Sequence, residues 1–310
     1  MRRMAMAVAT MLLVGAAKPP QERVVAGDGI VDATLNGEPI RLRVDPAAPG
    51  MPLMADAVAV RRGFKLDGKW GIGFGFGIGP TTVNARTKVA RVGYGGAPEK
   101  QRVGWTPRPF AAVADGTVGP GGLPEPVVRF VLHPARAGER TVTLPMEKPG
   151  FAMTLFGGGW MASIGIVEVG GAPMRIRFDP YHPRTLATAG AAVRLAQAYG
   201  GALSGEVVPT EIFFGVERPV RTLTLARPFP LGALAITRLG ARTGDAGSTA
   251  AIRDADTAEP VTDPDEILVV AKGKPRDLRR DTVSIGADQL AQCSSIVFDK
   301  PAHEIRLTCG

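Results

Sequence analysis

Along most of the chain, apolar residues alternate with polar ones in short runs, and glycine or proline closes nearly every run. A period of two marks a half-buried strand, so the pattern predicts a mainly β protein. Helical spacing is confined to two stretches, Ala55–Arg62 and Thr185–Gln197, the second carried by Leu186, Ala189, Val193 and Ala196. Between Gly71 and Gly79, glycine alternates with Ile72, Phe74, Phe76 and Ile78. As a strand this segment has one greasy face and one bare face, suited to a tight sheet contact or to a ligand groove.

The alternation repeats itself around an aspartate. The run from Leu35 to Pro46 (LNGEPIRLRVDP) matches the run from Val169 to Pro180 (VGGAPMRIRFDP) at one constant offset, with Gly37/Gly171, Pro39/Pro173, Arg41/Arg175, Arg43/Arg177, Asp45/Asp179 and Pro46/Pro180 identical. Each copy reads as a glycine turn and then a strand whose apolar side is Ile40-Leu42-Val44 or Met174-Ile176-Phe178. Proline ends each strand and holds the preceding Asp extended. Two similar lobes would each offer one carboxylate, and lobes that face each other would pair them.

A second correspondence lies downstream. Val118-Gly119 through Leu123, followed by Val127-Val128-Arg129-Phe130, matches Ile285-Gly286 through Leu290, followed by Ile296-Val297-Phe298. The offset is longer by about 33 residues, which calls for an insertion in the second copy. The stretch from about 247 to 281 fits: it turns acidic, then basic, and only Ile267–Val270 interrupts it as a possible strand.

A duplicated hydrophobic strand ending in Asp, with a later apolar-apolar-Gly segment, resembles the bilobal aspartic proteases of the pepsin and retropepsin type. Ala114-Asp115-Gly116-Thr117-Val118-Gly119 is similar to a recurring segment of that family. The resemblance implies two pepsin-like β-barrel lobes related by a pseudo-twofold axis, over residues 24–148 and 149–310. It implies peptide or protein substrates bound extended in the interlobe cleft under a hairpin flap, with no metal and no cofactor. The flap candidate is Val83–Val92 returning through Arg102–Trp105, with Tyr94 near its tip; Tyr94 and Tyr181 are the aromatic candidates for substrate contact.

In that family the two carboxylates share one proton, because charges so close cannot both ionise. The ionised member takes a proton from a bridging water, and the protonated one donates to the peptide carbonyl. The signature there is Asp-Thr/Ser-Gly, whereas this chain has Asp45-Pro46-Ala47 and Asp179-Pro180-Tyr181. Proline brings neither hydroxyl nor N–H, so the usual grip between the two loops cannot form. Asp245-Ala246-Gly247 is closer to the signature, which leaves Asp245 as an alternative second carboxylate. Two functions therefore stand beside each other: an aspartic endopeptidase using Asp45 and Asp179, or an inactive module that holds extended peptides in the same cleft.

The first 17 residues have the form of a cleavable export signal, with Arg2 and Arg3 before a short apolar run and Gly15-Ala16-Ala17 at the cut. The run is too short to span a bilayer, so the expected product is periplasmic or secreted, a monomer without an integral membrane segment. Export agrees with the cysteines. Cys293 and Cys309 flank a hairpin turning at Asp299–His303, which sets them opposite each other for a disulfide; two free thiols are the alternative. A net charge of +8 raises the question of nucleic acid, but the arginines are scattered on the outer sides of strands with no aromatic interleaving, so no nucleic-acid partner is expected. His133, His182 and His303 lack metal-ligand spacing, although His182 follows Asp179 closely enough to perturb it.

Overall fold

The computed structural model describes residues 21–66, 71–148, 162–245, 247–257 and 277–310. The expected export signal, Ala246 and most of the charged insertion, including Ile267–Val270, lie outside these residues. The protein is mainly β.

One sheet runs, neighbour by neighbour, through Ile30–Leu35, Glu38–Val44, Gly116–Val118, Leu53–Ala55, Glu99–Thr106, Thr81–Gly93 and Ile72–Ile78. A further pairing of Ile30–Leu35 with Thr81–Gly93 closes six of these strands into a barrel. A second sheet takes the equivalent strands in the same order: Gly165–Val169, Ala172–Asp179, Thr282–Gly286, Leu186–Ala187, Leu234–Arg242, Val216–Leu231 and Gly201–Phe213. Arg253–Asp254, at the start of the charged insertion, adds one short strand at its edge. The third sheet joins the two halves of the chain, placing Glu22–Ala26, Val127–Val131 and Arg140–Pro145 beside Cys293–Asp299 and Glu304–Cys309.

The alternation read from the sequence is the burial pattern. Ile40, Leu42 and Val44, like Met174, Ile176 and Phe178, are at most 3% exposed, on strands that are paired on both sides. The helix expected over Thr185–Gln197 forms as Ala189–Tyr199. Its first residues are taken by the sheet, where Leu186 and Ala187 pair with both Thr282–Gly286 and Leu234–Arg242. Thr188 then caps it, its hydroxyl accepting from the Ala191 N–H at 3.4 Å. Cys293 and Cys309 are register partners and form a disulfide. Among the described residues, no helix is long and apolar enough to cross a membrane.

Candidate active site

Both aspartates stand at the end of a strand paired on both sides, and the same pairing positions each. Glu38–Val44 runs parallel to Gly116–Val118, and the Asp45 N–H continues the ladder by donating to the Val118 carbonyl at 2.9 Å. Ala172–Asp179 runs parallel to Thr282–Gly286, with Asp179 in register with Gly286. The residue beside each Asp must be glycine, because backbone crosses its face. A Cβ on Gly119 would lie 2.9 Å from the Pro49 carbonyl, and one on Gly286 would lie 2.7 Å from the Thr185 nitrogen. This is the physical content of the apolar-apolar-Gly segments.

Asp45 and Asp179 are buried, at 3% and 6% exposure. Burial raises Asp45 to about 7, and the nearby Asp179 carboxyl adds to that; the Ala47 N–H and the guanidiniums of Arg43 and Arg177 oppose it. Burial likewise raises Asp179 to about 6, against Arg177 and the N–H groups of His182 and Tyr181. Asp179 is thus among the charges that raise Asp45, which places the two carboxyls close enough to interact.

The prolines cost each loop one donor, and later residues supply it. Ala47 N–H donates to Asp45 Oδ1 at 2.8 Å, and His182 N–H donates to Asp179 Oδ1 at 3.1 Å. The threonine-type grip expected to be missing has a one-sided substitute. The Tyr181 hydroxyl crosses to the carbonyl of Val44, at 3.5 Å, while the Arg43 guanidinium lies 4.4 Å above its ring.

Two hairpins, one from each sheet, reach over this pair. The first joins Ile72–Ile78 to Thr81–Gly93 through Gly79-Pro80, where Gly79 has φ 61, the geometry that twisted two-residue hairpins require. Its tip rests on the other half of the molecule: a Cβ on Gly79 would meet Asp245 and come within 3.0 Å of Arg218 Nε. The second joins Gly201–Phe213 to Val216–Leu231 through Phe214-Gly215, both at positive φ. Its tip rests on the first half, with Phe213 stacked on Phe110 at 4.6 Å and Phe214 against Phe76 at 4.9 Å. Each half thus roofs the other.

Beneath the hairpins lie two cavities that share Gly77, Ile78, Arg177 and Phe213 in their walls. One, of about 440 Å³, is apolar and lies on the Asp45 side, among Ala47, Pro49, Phe74, Phe76 and Phe214. The other, of about 480 Å³, is polar and contains Asp179. A Cβ on Gly77 would meet nothing within 4 Å, so the strand leaves open space at Gly77, which lines both cavities.

The structure does not bring every candidate to this site. Val83–Val92 does pair with Arg102–Trp105, but Tyr94 sits at the opposite end of the strand from Gly79, buried and hydrogen bonded to Gln101 Oε1 at 3.2 Å. The hairpin over the aspartates is the neighbouring one. Asp245 is held by Arg242 Nε at 2.8 Å, under the tip of the first hairpin, rather than paired with Asp45. His182 is fixed by backbone, its Nδ1 accepting from the Arg184 N–H at 3.1 Å and its Nε2 lying 3.2 Å from the Glu211 carbonyl. Arg43 and Arg177, which alternation puts on a solvated outer side, are half-buried beside the carboxyls instead. The outer side of a strand end becomes an inner one when another half lies against it; the repeat of Arg-x-Asp was the available signal.

No model of a known protein family matches the chain, and no curated protein matches it.

Proposed function

We propose that the protein is an exported, aspartic-protease-like peptide hydrolase made of two pepsin-like lobes, about residues 24–148 and 149–310. Asp45 and Asp179 form its shared-proton dyad. The observation that carries this is the pair itself: two buried carboxyls on equivalent strand ends, close enough for the charge of Asp179 to raise Asp45. The identical strand order of the two sheets and the groove beneath crossed hairpins support the same conclusion.

In the singly protonated pair, the ionised carboxylate accepts a proton from a water lying between the two groups. That water's oxygen bonds to the peptide carbonyl carbon, and the protonated carboxyl passes its proton to the carbonyl oxygen. Collapse of the tetrahedral diol breaks the C–N bond as a proton moves to the leaving amine. Arg43 and Arg177 have a definite part. Burial alone favours two neutral carboxyls, and these cations draw the pair back toward the single negative charge that the reaction needs. The disulfide accords with an oxidising compartment, as export would provide.

One observation favours a second function, a module that binds extended peptides without cutting them: proline follows both aspartates and removes a loop N–H from each. Incubating the signal-free protein with a mixed peptide library, beside Asp45→Asn and Asp179→Asn, separates the two. Cleavage lost in both variants supports the hydrolase; peptides recovered intact but bound support the module.

A further inference from the structure

The cavity on the Asp179 side has a charge that a general peptide cleft has no need of. Arg175, Arg177, Arg242 and Arg280 line it, with Asp179 as the carboxylate in its wall. Two of the four are neutralised from outside the cavity wall: Arg175 by Glu147 at 2.5 Å and Arg242 by Asp245 at 2.8 Å. Arg177 has the charges of Asp179 and Asp45 beside it. Its guanidinium lies 5.0 Å over the Phe213 ring, and its Nε is buried with no hydrogen-bond partner among the described residues. Ser284, its register partner on the adjacent parallel strand, also lines the cavity, and its Oγ is buried and equally unpartnered. Both residues line the cavity, and a buried polar group without a partner carries a free-energy cost that a hydrogen-bonding ligand would relieve. Arg280, exposed at the rim, adds a further positive charge.

The matching partner accepts hydrogen bonds and is negative. A planar carboxylate meets a guanidinium edge and a hydroxyl together, which an amide of the same shape does less strongly. The other cavity shares Arg177 but is otherwise walled mainly by phenylalanines and other apolar residues, with no Ser284 and no Arg280. We infer that the Asp179-side cavity is a subsite for a peptide carboxylate, held by Arg177 and Ser284 with Arg280 at its mouth, so that the groove selects acidic peptides on one side of the aspartates and apolar ones on the other. This rests on the proposed peptide-binding groove. The carboxylate has two sources, an acidic side chain within the peptide or the free end of its chain.

Fluorescence anisotropy tests it without requiring cleavage. Three labelled peptides of otherwise identical apolar sequence are titrated with the signal-free protein: one with an internal Glu and an amidated end, one with Gln in its place and an amidated end, and the Gln peptide with a free carboxyl end. Mass spectrometry of the same samples records any cutting. A charge-assisted contact of the usual strength predicts binding of the Glu peptide or of the free-ended peptide about tenfold or more tighter than the amidated Gln peptide. The tighter of the two names the source. Arg280→Ala, at an exposed position, should cut that preference several-fold, and Arg177→Gln should abolish it. If Arg177→Gln fails to fold by circular dichroism, Ser284→Ala takes its place, with a partial loss expected. Equal binding of all three peptides would overturn the subsite while leaving the peptide groove standing. No binding by any of them, with none cut, would overturn both.

Discussion

The phenol of Tyr181 crosses from one aspartate loop to the other and donates to the carbonyl of Val44, the residue immediately before Asp45, at 3.5 Å. The loop around Val44 is built to admit it. Gly29, at φ 70, accepts from the Val44 N–H at 2.8 Å, and a Cβ there would fall on the Tyr181 hydroxyl and 2.8 Å from the Val44 oxygen. Only glycine leaves this room.

Gly29→Ala should therefore be worse than its single methyl suggests, because it adds left-handed strain and expels the phenol together. We expect a loss of about 2–3 kcal/mol in urea denaturation. Tyr181→Phe removes only the long hydrogen bond and should cost about 1 kcal/mol or less. A larger loss for Tyr181→Phe than for Gly29→Ala would show that the crossing contact has been misjudged.

Stability should depend on pH in the direction opposite to that of ordinary acid denaturation. Burial lifts Asp45 to about 7 and Asp179 to about 6 in the folded protein. In the unfolded chain they return to about 4. Between those values the folded state binds more protons than the unfolded one, so the aspartates' contribution falls as pH rises from about 4 to about 7. Asp45→Asn removes a group that burial keeps from ionising, and it should flatten that slope and raise stability at neutral pH. Urea midpoints for the wild type and Asp45→Asn at several pH values check this.

The second hairpin carries an aromatic residue where its turn prefers asparagine or glycine. Phe214 is held at φ 59 by its contacts with Phe76 and Phe110. Phe214→Asn should relieve about 1 kcal/mol of turn strain yet lose about 3–5 kcal/mol of buried packing. The net loss should be concentrated in the roof. Hydrogen exchange should speed up at the tips around Gly79 and Gly215, and much less in strands Glu38–Val44 and Ala172–Asp179.

The Cys293–Cys309 bond closes a loop of 16 residues in the sheet that joins the two halves. In the chain-entropy account such a loop contributes about 3 kcal/mol. The Cys293→Ala/Cys309→Ala double variant should lose about that much, and reductant should lower the wild-type denaturation midpoint without affecting the variant's.

Local pattern explains how much of this was legible in the sequence. The strands ending at Asp45 and Asp179, with their buried sides, follow from alternation and the repeat, and the Cys293/Cys309 register follows from the hairpin turn. The crossed roof does not. Gly79 resting on Asp245, or Phe214 on Phe76, is a contact between distant segments that no period in either one encodes. The expected Val83–Val92 pairing with Arg102–Trp105 is real, but it turns at the far end of its strand and leaves Tyr94 away from the site. Arg177 and Ser284 were missed because alternation distinguishes the two faces of a strand without telling which face another half will cover.

The central claim is that Asp45 and Asp179 work as one pair with a shared proton. Its most direct measurement is kcat/KM against pH on a cleaved peptide, for the wild type, Asp45→Asn and Asp179→Asn. A shared proton should give a bell with its maximum between about 6 and about 7, where the pair holds one proton, and loss of cleavage at every pH in both variants. Cleavage that persists in either variant, or a maximum far below that range, would contradict it.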